Sequence, residues 1–278
     1  MGTLYLVATP IGNLEDITAR AVRVLSQVPL IAAEDTRQTR KLLNHLHIQT
    51  RLISYYEHNK LNRLDAILEA LSTGDVALVS DAGTPVLNDP GFLLLQAALQ
   101  VGHQVSPIPG PSAPIAALVV SGLPTDRFIY LGYLPRKASE RQKYLQEVKE
   151  LPYTLVLLEV PHRLTDSLPD IETVLGDRRI AVARELTKLH EQVFRGLVSD
   201  ATKYFLANPP RGEITLVIAG ASPELAPWSA EELQRVVQER LSRNETPTHI
   251  ARELAVESHW PRRKIYDLVI KIQKRSRS

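Results

Sequence analysis

Across its first 120 or so residues the chain alternates short apolar runs with stretches whose apolar residues recur every three or four positions. That is the pattern of strands alternating with helices in a parallel α/β sheet. Residues 4–8 read as a buried strand, followed by the turn Pro10-Ile11-Gly12-Asn13, and Ile17, Ala21, Val24 and Leu25 then share one helical face. A second strand, Leu30–Ala33, ends in Glu34 and Asp35 before a helix carrying Arg37, Arg40 and Lys41. Residues 52–54 form a third, short strand; Leu61, Leu64, Ile67, Leu68 and Leu71 mark the next helix, with Gly74 as its C-terminal cap. Residues 76–80 predict a central strand running into Asp81-Ala82-Gly83-Thr84-Pro85. Gln104–Ile108 leads into Pro109-Gly110-Pro111-Ser112-Ala113 and an apolar helix to about Val120.

Ser121-Gly122-Leu123-Pro124-Thr125-Asp126 reads as an interdomain linker. Strands are expected beyond it at 128–131, 154–159, 180–184, 192–195 and 213–219. The gap between the third and fourth of these is too short for a crossover helix, so a mixed sheet is expected. From Trp228 the character changes: Ser229-Ala230-Glu231-Glu232 is a capping box ahead of Leu233, Val236, Val237 and Leu241. Thr246-Pro247 and Pro261 open two further helices, the last with Ile265, Leu268, Val269 and Ile272 inward and Lys264, Lys271 and Lys274 outward. Three parts follow: an α/β domain at 1–122, a second at 123–226, and a helical module at 227–278.

Hydrophobic residues at 44% and charged residues at 23% are those of a globular protein, and 278 residues suffice for two modest cores. The absence of cysteine excludes disulfides, thiolate–zinc sites and cysteine nucleophiles. No apolar run reaches the roughly 18–20 residues of a membrane helix, and the N-terminus lacks the basic start of a signal peptide. A cytoplasmic, cofactor-using protein is expected. The eight histidines are scattered without ligand spacing, so no metal is expected. The net charge of +2 conceals an asymmetry. From Arg262 onward Arg262, Arg263, Lys264, Lys271, Lys274, Arg275 and Arg277 face a single acid, Asp267, leaving the rest of the chain negative. Basic charge gathered at one end suits a nucleic-acid partner; a solvated terminal helix is the plainer alternative.

Three loops follow strands of the first domain: residues 9–14, 80–85 and 108–113. Ligands bind at the carboxyl ends of strands in such sheets, and glycine lets a ligand approach the backbone. None of the loops is a G-x-G-x-x-G fingerprint or a phosphate-binding P-loop. Each alone reads as a tight turn; three in one domain point to a cofactor cleft.

The motifs Ala8-Thr9-Pro10-Ile11-Gly12-Asn13-Leu14-Glu15-Asp16, Ala33-Glu34-Asp35-Thr36-Arg37, Val79-Ser80-Asp81-Ala82-Gly83-Thr84-Pro85, Ile108-Pro109-Gly110-Pro111-Ser112-Ala113, Pro161-His162-Arg163, Arg184-Glu185-Leu186-Thr187-Lys188 and Arg211-Gly212-Glu213 carry a resemblance over essentially the whole length. The chain resembles the tetrapyrrole (corrin/porphyrin) methylases, in particular a branch acting on ribosomal RNA. It departs from the family's usual G-x-G-x-G-D opening with Thr-Pro-Ile-Gly-Asn, and from its Gly-Gly-Asp-Pro loop with Asp-Ala-Gly-Thr-Pro. The resemblance implies two α/β domains of that fold with an S-adenosylmethionine cleft between them, a small C-terminal helical module, and a homodimer. It implies methyl transfer to the 2′-hydroxyl of a cytidine ribose in 16S ribosomal RNA, free or in the small ribosomal subunit. A small-molecule corrin or porphyrin methyltransferase is the alternative. Carried onto matching positions, it places Pro10 and Ile11, Asp81, Ala82, Gly83, Thr84 and Leu87, Ser112 and Ala113, Glu159 and Thr187 at the cofactor.

Methyl transfer is an in-line displacement, so positioning dominates, and a ribose hydroxyl attacks well only when an acceptor takes its proton. Asp81, Glu159, Glu185 and, if desolvated enough to be partly neutral, Lys188 are the candidates. Asp81 has an alternative as a turn cap, and Glu185 as an ion-pair partner. RNA contact is expected from Arg136 and Lys137 beside Tyr133, from Arg163 at a helix start, and from Arg262, Arg263 and Lys264 with Trp260. A helix-start salt bridge for Arg163, and simple packing for the aromatics, are the alternatives.

Overall fold

Strands that are apolar at every position need cover on both faces, and the first sheet has it. Its strands, β1 (Thr3–Val7), β2 (Leu30–Ala33), β3 (Arg51–Ser54), β4 (Val76–Val79) and β5 (Gln104–Ile108), are all parallel, in the order β3-β2-β4-β1-β5. Successive side chains point to opposite faces. Val7, Ile31, Ala33, Ala77 and Val79 therefore pack against helices α1 (Ala19–Gln27) and α2 (Thr36–His45) through Ala21, Val24, Leu25 and Leu43. Leu4, Leu30, Ala32, Val76 and Leu78 face α3 (Lys60–Thr73) and α4 (Phe92–Gln100) through Ile67, Leu71, Leu94 and Ala98. Full burial of each such Leu, Ile or Val contributes about 1.5–3 kcal/mol. Gly74 caps α3 as expected, its N–H donating to the Ala70 carbonyl, but its backbone is extended and makes no left-handed turn.

Helix α5 (Ala113–Val120) leads to a second sheet, with β6 (Phe128–Tyr133), β7 (Thr154–Glu159), β8 (Arg179–Arg184), β9 (Gln192–Leu197) and β10 (Ile214–Ile218) in the order β6-β7-β10-β8-β9. Only β6 and β7 run parallel. The mixed sheet follows from the short connection between β8 and β9, which permits a hairpin and no crossover. One face packs on α6 (Ala138–Val148), α7 (Pro161–Leu175) and α8 (Val198–Ala207). The other, through Val156, Ala181, Ala183 and Val217, packs on Ala117 and Leu118 of α5 and on Ile11 and Leu186. The first-sheet loop carrying Ile11 is thereby fixed to the second sheet.

The computed structural model describes residues 2–221, 229–243, 245–258 and 260–275, with side chains at all of these except 256, 257, 274 and 275. The chain divides into two compact units after Gly220, and both sheets belong to the first. The expected boundary at 226/227, Trp228, Arg277 and the side chains of Lys274 and Arg275 lie outside the described residues. The second unit holds α9 (Ala230–Ser242), α10 (Pro247–Glu257) and α11 (Arg262–Arg275). Leu233, Val237, Ile250, Leu254, Ile265 and Val269 form its core. Ser229 Oγ accepts from the Glu232 N–H at 3.0 Å, one half of the expected capping box. Among the described residues no helix is long and apolar enough to cross a membrane.

Candidate active site

Helix α1 follows β1 on one face of the first sheet, and α4 follows β4 on the other. The chain thus leaves these neighbouring strands in opposite directions, which opens a crevice at their carboxyl ends. Thr9 and Gly83 close its floor: the Thr9 N–H donates to the Gly83 carbonyl at 2.9 Å, and the Gly83 N–H returns to the Thr9 carbonyl at 3.0 Å. Thr9 Oγ1 donates to the Ser80 carbonyl at 3.2 Å, and Thr84 Oγ1 to the Pro111 carbonyl at 3.3 Å. The three loops singled out from the sequence form one hydrogen-bonded assembly.

Above that floor is a cleft of about 250 Å³. Ile11, Asp81, Ala82, Gly83, Thr84, Leu87, Ser112 and Ala113 line it from the first-sheet side. Tyr130 and Tyr133 of β6, Glu159 at the end of β7, and Gly212, Glu213 and Thr215 around the start of β10 line it from the second. Pro10 is outside the lining and sets the turn before Ile11. A larger depression of about 700 Å³, bordered by Leu189, Tyr204 and Pro209, is open to solvent along the β8–β9 hairpin and receives none of the three loops.

The cleft is acidic. Burial raises the Glu34 carboxyl above the usual range; the hydrogen bond from the Asp81 N–H (3.3 Å) pulls it down, and the charges of Asp89, Asp81 and Asp35 push it up further. Burial likewise raises Asp81, against the lowering bond from the Asp35 N–H at 3.0 Å. Asp89 is raised by burial and by the charges of Asp81 and Glu213; the neighbouring Ser80 hydroxyl pulls the other way, though its geometry falls short of a full hydrogen bond. Burial also pushes the Tyr130 phenol up to about 12. Asp35 belongs to a different arrangement: it caps α2 through the Arg37 N–H at 2.8 Å, and the Arg37 guanidinium holds it down at about 2.

Glu159 is 1% exposed. It accepts from Ser167 Oγ at 2.5 Å and from the Val160 N–H at 2.8 Å, and pairs with Arg163 at 3.3 Å. Arg163 is correspondingly drawn inward, donating also to the Leu134 carbonyl at 2.6 Å. Its helix-start salt bridge is formed, and it offers no guanidinium to a phosphate, contrary to the expectation from sequence. Glu185 and Lys188 stand at the edge of the cleft, not in its lining. Lys188 Nζ donates to Glu185 Oε1 at 2.9 Å and to Glu213 Oε2 at 3.4 Å. Burial alone would lower this amine, but the Glu185 hydrogen bond and the charges of Glu213 and Glu185 outweigh it and the net direction is upward. Lys188 is thus raised where a base would have to be lowered, and the condition for its acting as a proton acceptor is not met. Its hydrogen bond holds the Glu185 carboxyl below the usual range, making Glu185 a weak proton acceptor.

Thr187 accepts from the Asn13 N–H at 3.1 Å and so clamps the first loop to the turn after β8. Arg136 and Lys137 are exposed ahead of α6, and Arg262, Arg263 and Lys264 are exposed at the start of α11. Trp260 packs against the helical core. Sequence reasoning did not assign Glu34, Asp89 or Tyr130 to the site, and placed Tyr133 only beside RNA. Asn88-Asp89-Pro90-Gly91 has the composition of an ordinary turn, and Tyr130 that of a packed strand residue; Glu34, ending a strand beside the switch point, was the one legible signal. Among the described residues no group of His, Asp and Glu side chains is placed to hold a metal.

The loops at a switch point and the second sheet closing over them define a class. The sequence matches the Tetrapyrrole (Corrin/Porphyrin) Methylases over residues 3–202, and the chain belongs to this family. It is 49% identical over 276 residues, covering 98% of this chain and 99% of its relative, to "Ribosomal RNA small subunit methyltransferase I" of Synechocystis sp.. The protein of the same name from Bacillus subtilis is 41% identical, covering 96% and 94%. Among solved structures, cobalt precorrin-4 methyltransferase shares the fold at a TM-score of 0.59 and 15% identity, covering 78% of this chain and 94% of that one.

Proposed function

We propose that the protein transfers a methyl group from S-adenosylmethionine to the 2′-hydroxyl of a cytidine ribose in 16S ribosomal RNA. The observation that carries this is an acidic cleft, built by the three loops, in a chain alike over nearly its full length to methyltransferases named for the small-subunit ribosomal RNA. The donor set fits the cofactor. Glu34 and Asp81 are both raised by burial and the Asp81 charge raises Glu34 further, a repulsion relieved by a cation such as a sulfonium or ammonium group. Ile11, Leu87 and Ala113 offer apolar surface to a methionine chain or an adenine, and backbone groups of Ala82 and Thr84 offer hydrogen bonds.

When bound, S-adenosylmethionine supplies an electrophilic methyl on a positively charged sulfur. The residues Ile11, Asp81, Ala82, Gly83, Thr84, Leu87, Ser112 and Ala113 hold it, with Pro10 and Thr187 fixing the loops that do so. Glu159, locked by Arg163 and Ser167, keeps the β7 wall in place. The second sheet, with Tyr130 and Tyr133, keeps water from the reacting side. Arg136, Lys137, Arg262, Arg263 and Lys264 attract the RNA backbone. A homodimer working in the cytoplasm completes the reading.

The test incubates the protein with tritiated S-adenosylmethionine and small ribosomal subunits lacking the modification, then digests the RNA. Label in 2′-O-methylcytidine is expected. Cofactor binding without label in RNA, but with label in a tetrapyrrole precursor, would overturn the RNA reading. Light scattering with gel filtration reads the dimer.

A further inference from the structure

Five carboxylates line the cleft, and four of them are engaged. Glu34 accepts from the Asp81 N–H, Asp81 from the Asp35 N–H, Glu159 from Ser167 and Val160, and Glu213 from Lys188. Asp89 alone has neither a closed hydrogen bond nor an ion pair among the described residues. Beside it is Ser80, 3% exposed, whose hydroxyl has no partner, and the buried Tyr130 hydroxyl, also unpartnered, senses the same carboxylate. Two buried hydroxyls, Ser80 and Tyr130, thus lack a closed hydrogen bond beside a half-buried carboxylate, which is costly unless a further group satisfies them.

The backbone holding Asp89 there is strained. Val86 (φ 75°) adopts a left-handed conformation that a β-branched residue rarely takes, and Asn88 (φ 65°) and Gly91 (φ 137°), residue types that tolerate positive φ, continue the turn. Asn88 packs against Gly132, itself at φ 66° in the β6 bulge, so closely that a Cβ there would meet the Asn88 amide at 2.6 Å. Strain of this kind persists where surrounding packing enforces it, and it gathers at functional sites.

We propose, on the reading that this cleft methylates a ribose hydroxyl, that Asp89 receives the proton of the attacking hydroxyl. The O–H bond breaks and its proton passes to an Asp89 carboxylate oxygen. The ribose oxygen forms its bond to the methyl carbon, and the sulfur–methyl bond breaks with its electron pair returning to the sulfur, which loses its charge. Asp89 suits this because burial raises it above an ordinary aspartate, making it the stronger acceptor. The Tyr130 phenol, held at about 12, remains a donor and orients the ribose.

The experiment compares the wild type with Asp89→Asn and Asp89→Glu in two readouts: S-adenosylmethionine affinity by calorimetry, and single-turnover methylation of unmodified small subunits from pH 5 to 9. For Asp89→Asn the expected result is affinity within about threefold of the wild type, a rate lower by about 100-fold or more, and loss of the acidic limb of the pH profile. Asp89→Glu recovers part of the rate. An Asp89→Asn rate within about threefold of the wild type overturns the assignment, and so does loss of cofactor binding, which would make Asp89 a cofactor ligand. A wild type that labels no ribose overturns the methylation reading itself and takes this assignment with it. Should Asp89→Asn not fold, the wild-type profile decides: a rate that does not rise with pH through the carboxylate range overturns the proposal.

Discussion

The backbone N–H of Asn13 donates to Thr187 Oγ1 across 3.1 Å, joining positions 174 residues apart in sequence. It ties the loop after β1 to the turn after β8, so the two sheets are linked beside the cleft by a hydrogen bond as well as by the packing of Ile11 and Leu186. The Thr187 N–H is in turn held by Glu191 Oε2 at 2.7 Å, and its backbone is left-handed, at φ 65°. A residue fixed in this way holds the two loops together beside the cleft and is not among the residues that line it.

Removing the hydroxyl should therefore loosen the clamp. Thr187→Ala leaves the Asn13 N–H half-buried without its acceptor, at a cost of about 1–3 kcal/mol. The expected outcome is S-adenosylmethionine affinity weakened several-fold and a lowered melting temperature, whereas Thr187→Ser, which keeps the oxygen, stays near the wild type. Calorimetry and thermal unfolding check both. Equal affinity for Ala and Ser would show that the clamp does not shape the cleft.

Gly132 gives a sharper backbone test. Its φ of 66° and the Asn88 amide 2.6 Å from where a Cβ would be leave no room for alanine. Gly132→Ala should cost about 1–3 kcal/mol through strain and displacement of Asn88, with melting lowered by roughly 2–4 °C per kcal/mol. Because Asn88 precedes Asp89, methylation should fall more steeply than stability. Thermal unfolding and single-turnover rates on one preparation separate the two losses.

The cleft acids give a pH dependence of defined sign. Glu34 and Asp81 are both raised, from ordinary values of 4.5 and 3.8, so they are harder to ionise in the folded protein than in the unfolded chain. Their favourable contribution is complete below those ordinary values and is lost as pH rises through the raised ones. A cation in the cleft opposes that loss. The thermal shift produced by saturating S-adenosylmethionine should thus be larger at pH 7 than at pH 4.5. Glu34→Gln should raise the melting temperature of the cofactor-free protein at pH 7 and weaken cofactor binding. A cofactor shift independent of pH would contradict this account.

Much of this architecture is legible in sequence because its elements are locally determined. The runs Leu30–Ala33 and Val76–Val79 are apolar at every position, with Pro29 before one and Gly74-Asp75 before the other, so these strands could be read directly. Cleft residues such as Ala82, Gly83 and Ser112 were identified through motif resemblance. Asp89 and Tyr130 are not legible as cleft residues, because their position there arises from tertiary placement: the left-handed turn of Val86 and Asn88 and the β6 bulge bring them to one cleft. Nor does sequence separate Lys188 as a base from Lys188 as an ion-pair partner, since the difference lies in Glu185 and Glu213 converging on one amine.

The basic surfaces make a prediction that distinguishes RNA attraction from solvation. Arg262, Arg263 and Lys264 are exposed at the start of α11, where the helix dipole disfavours cations, while the unit's core is complete without them. Positive charge there lowers helix stability slightly, a cost that a bound polyanion would offset. Each side chain that neutralises a phosphate adds close to one to the slope of log affinity against log salt. The triple change of these residues to alanine should weaken RNA binding at 150 mM salt by about tenfold or more and flatten that slope by two to three. It should leave S-adenosylmethionine affinity unchanged and the melting temperature equal or higher. Arg136→Ala with Lys137→Ala should flatten the slope by one to two; because Lys137 is already paired with Glu140 at 3.1 Å, its share is the smaller. A salt slope equal to the wild type's in both variants would assign these charges to the solvent.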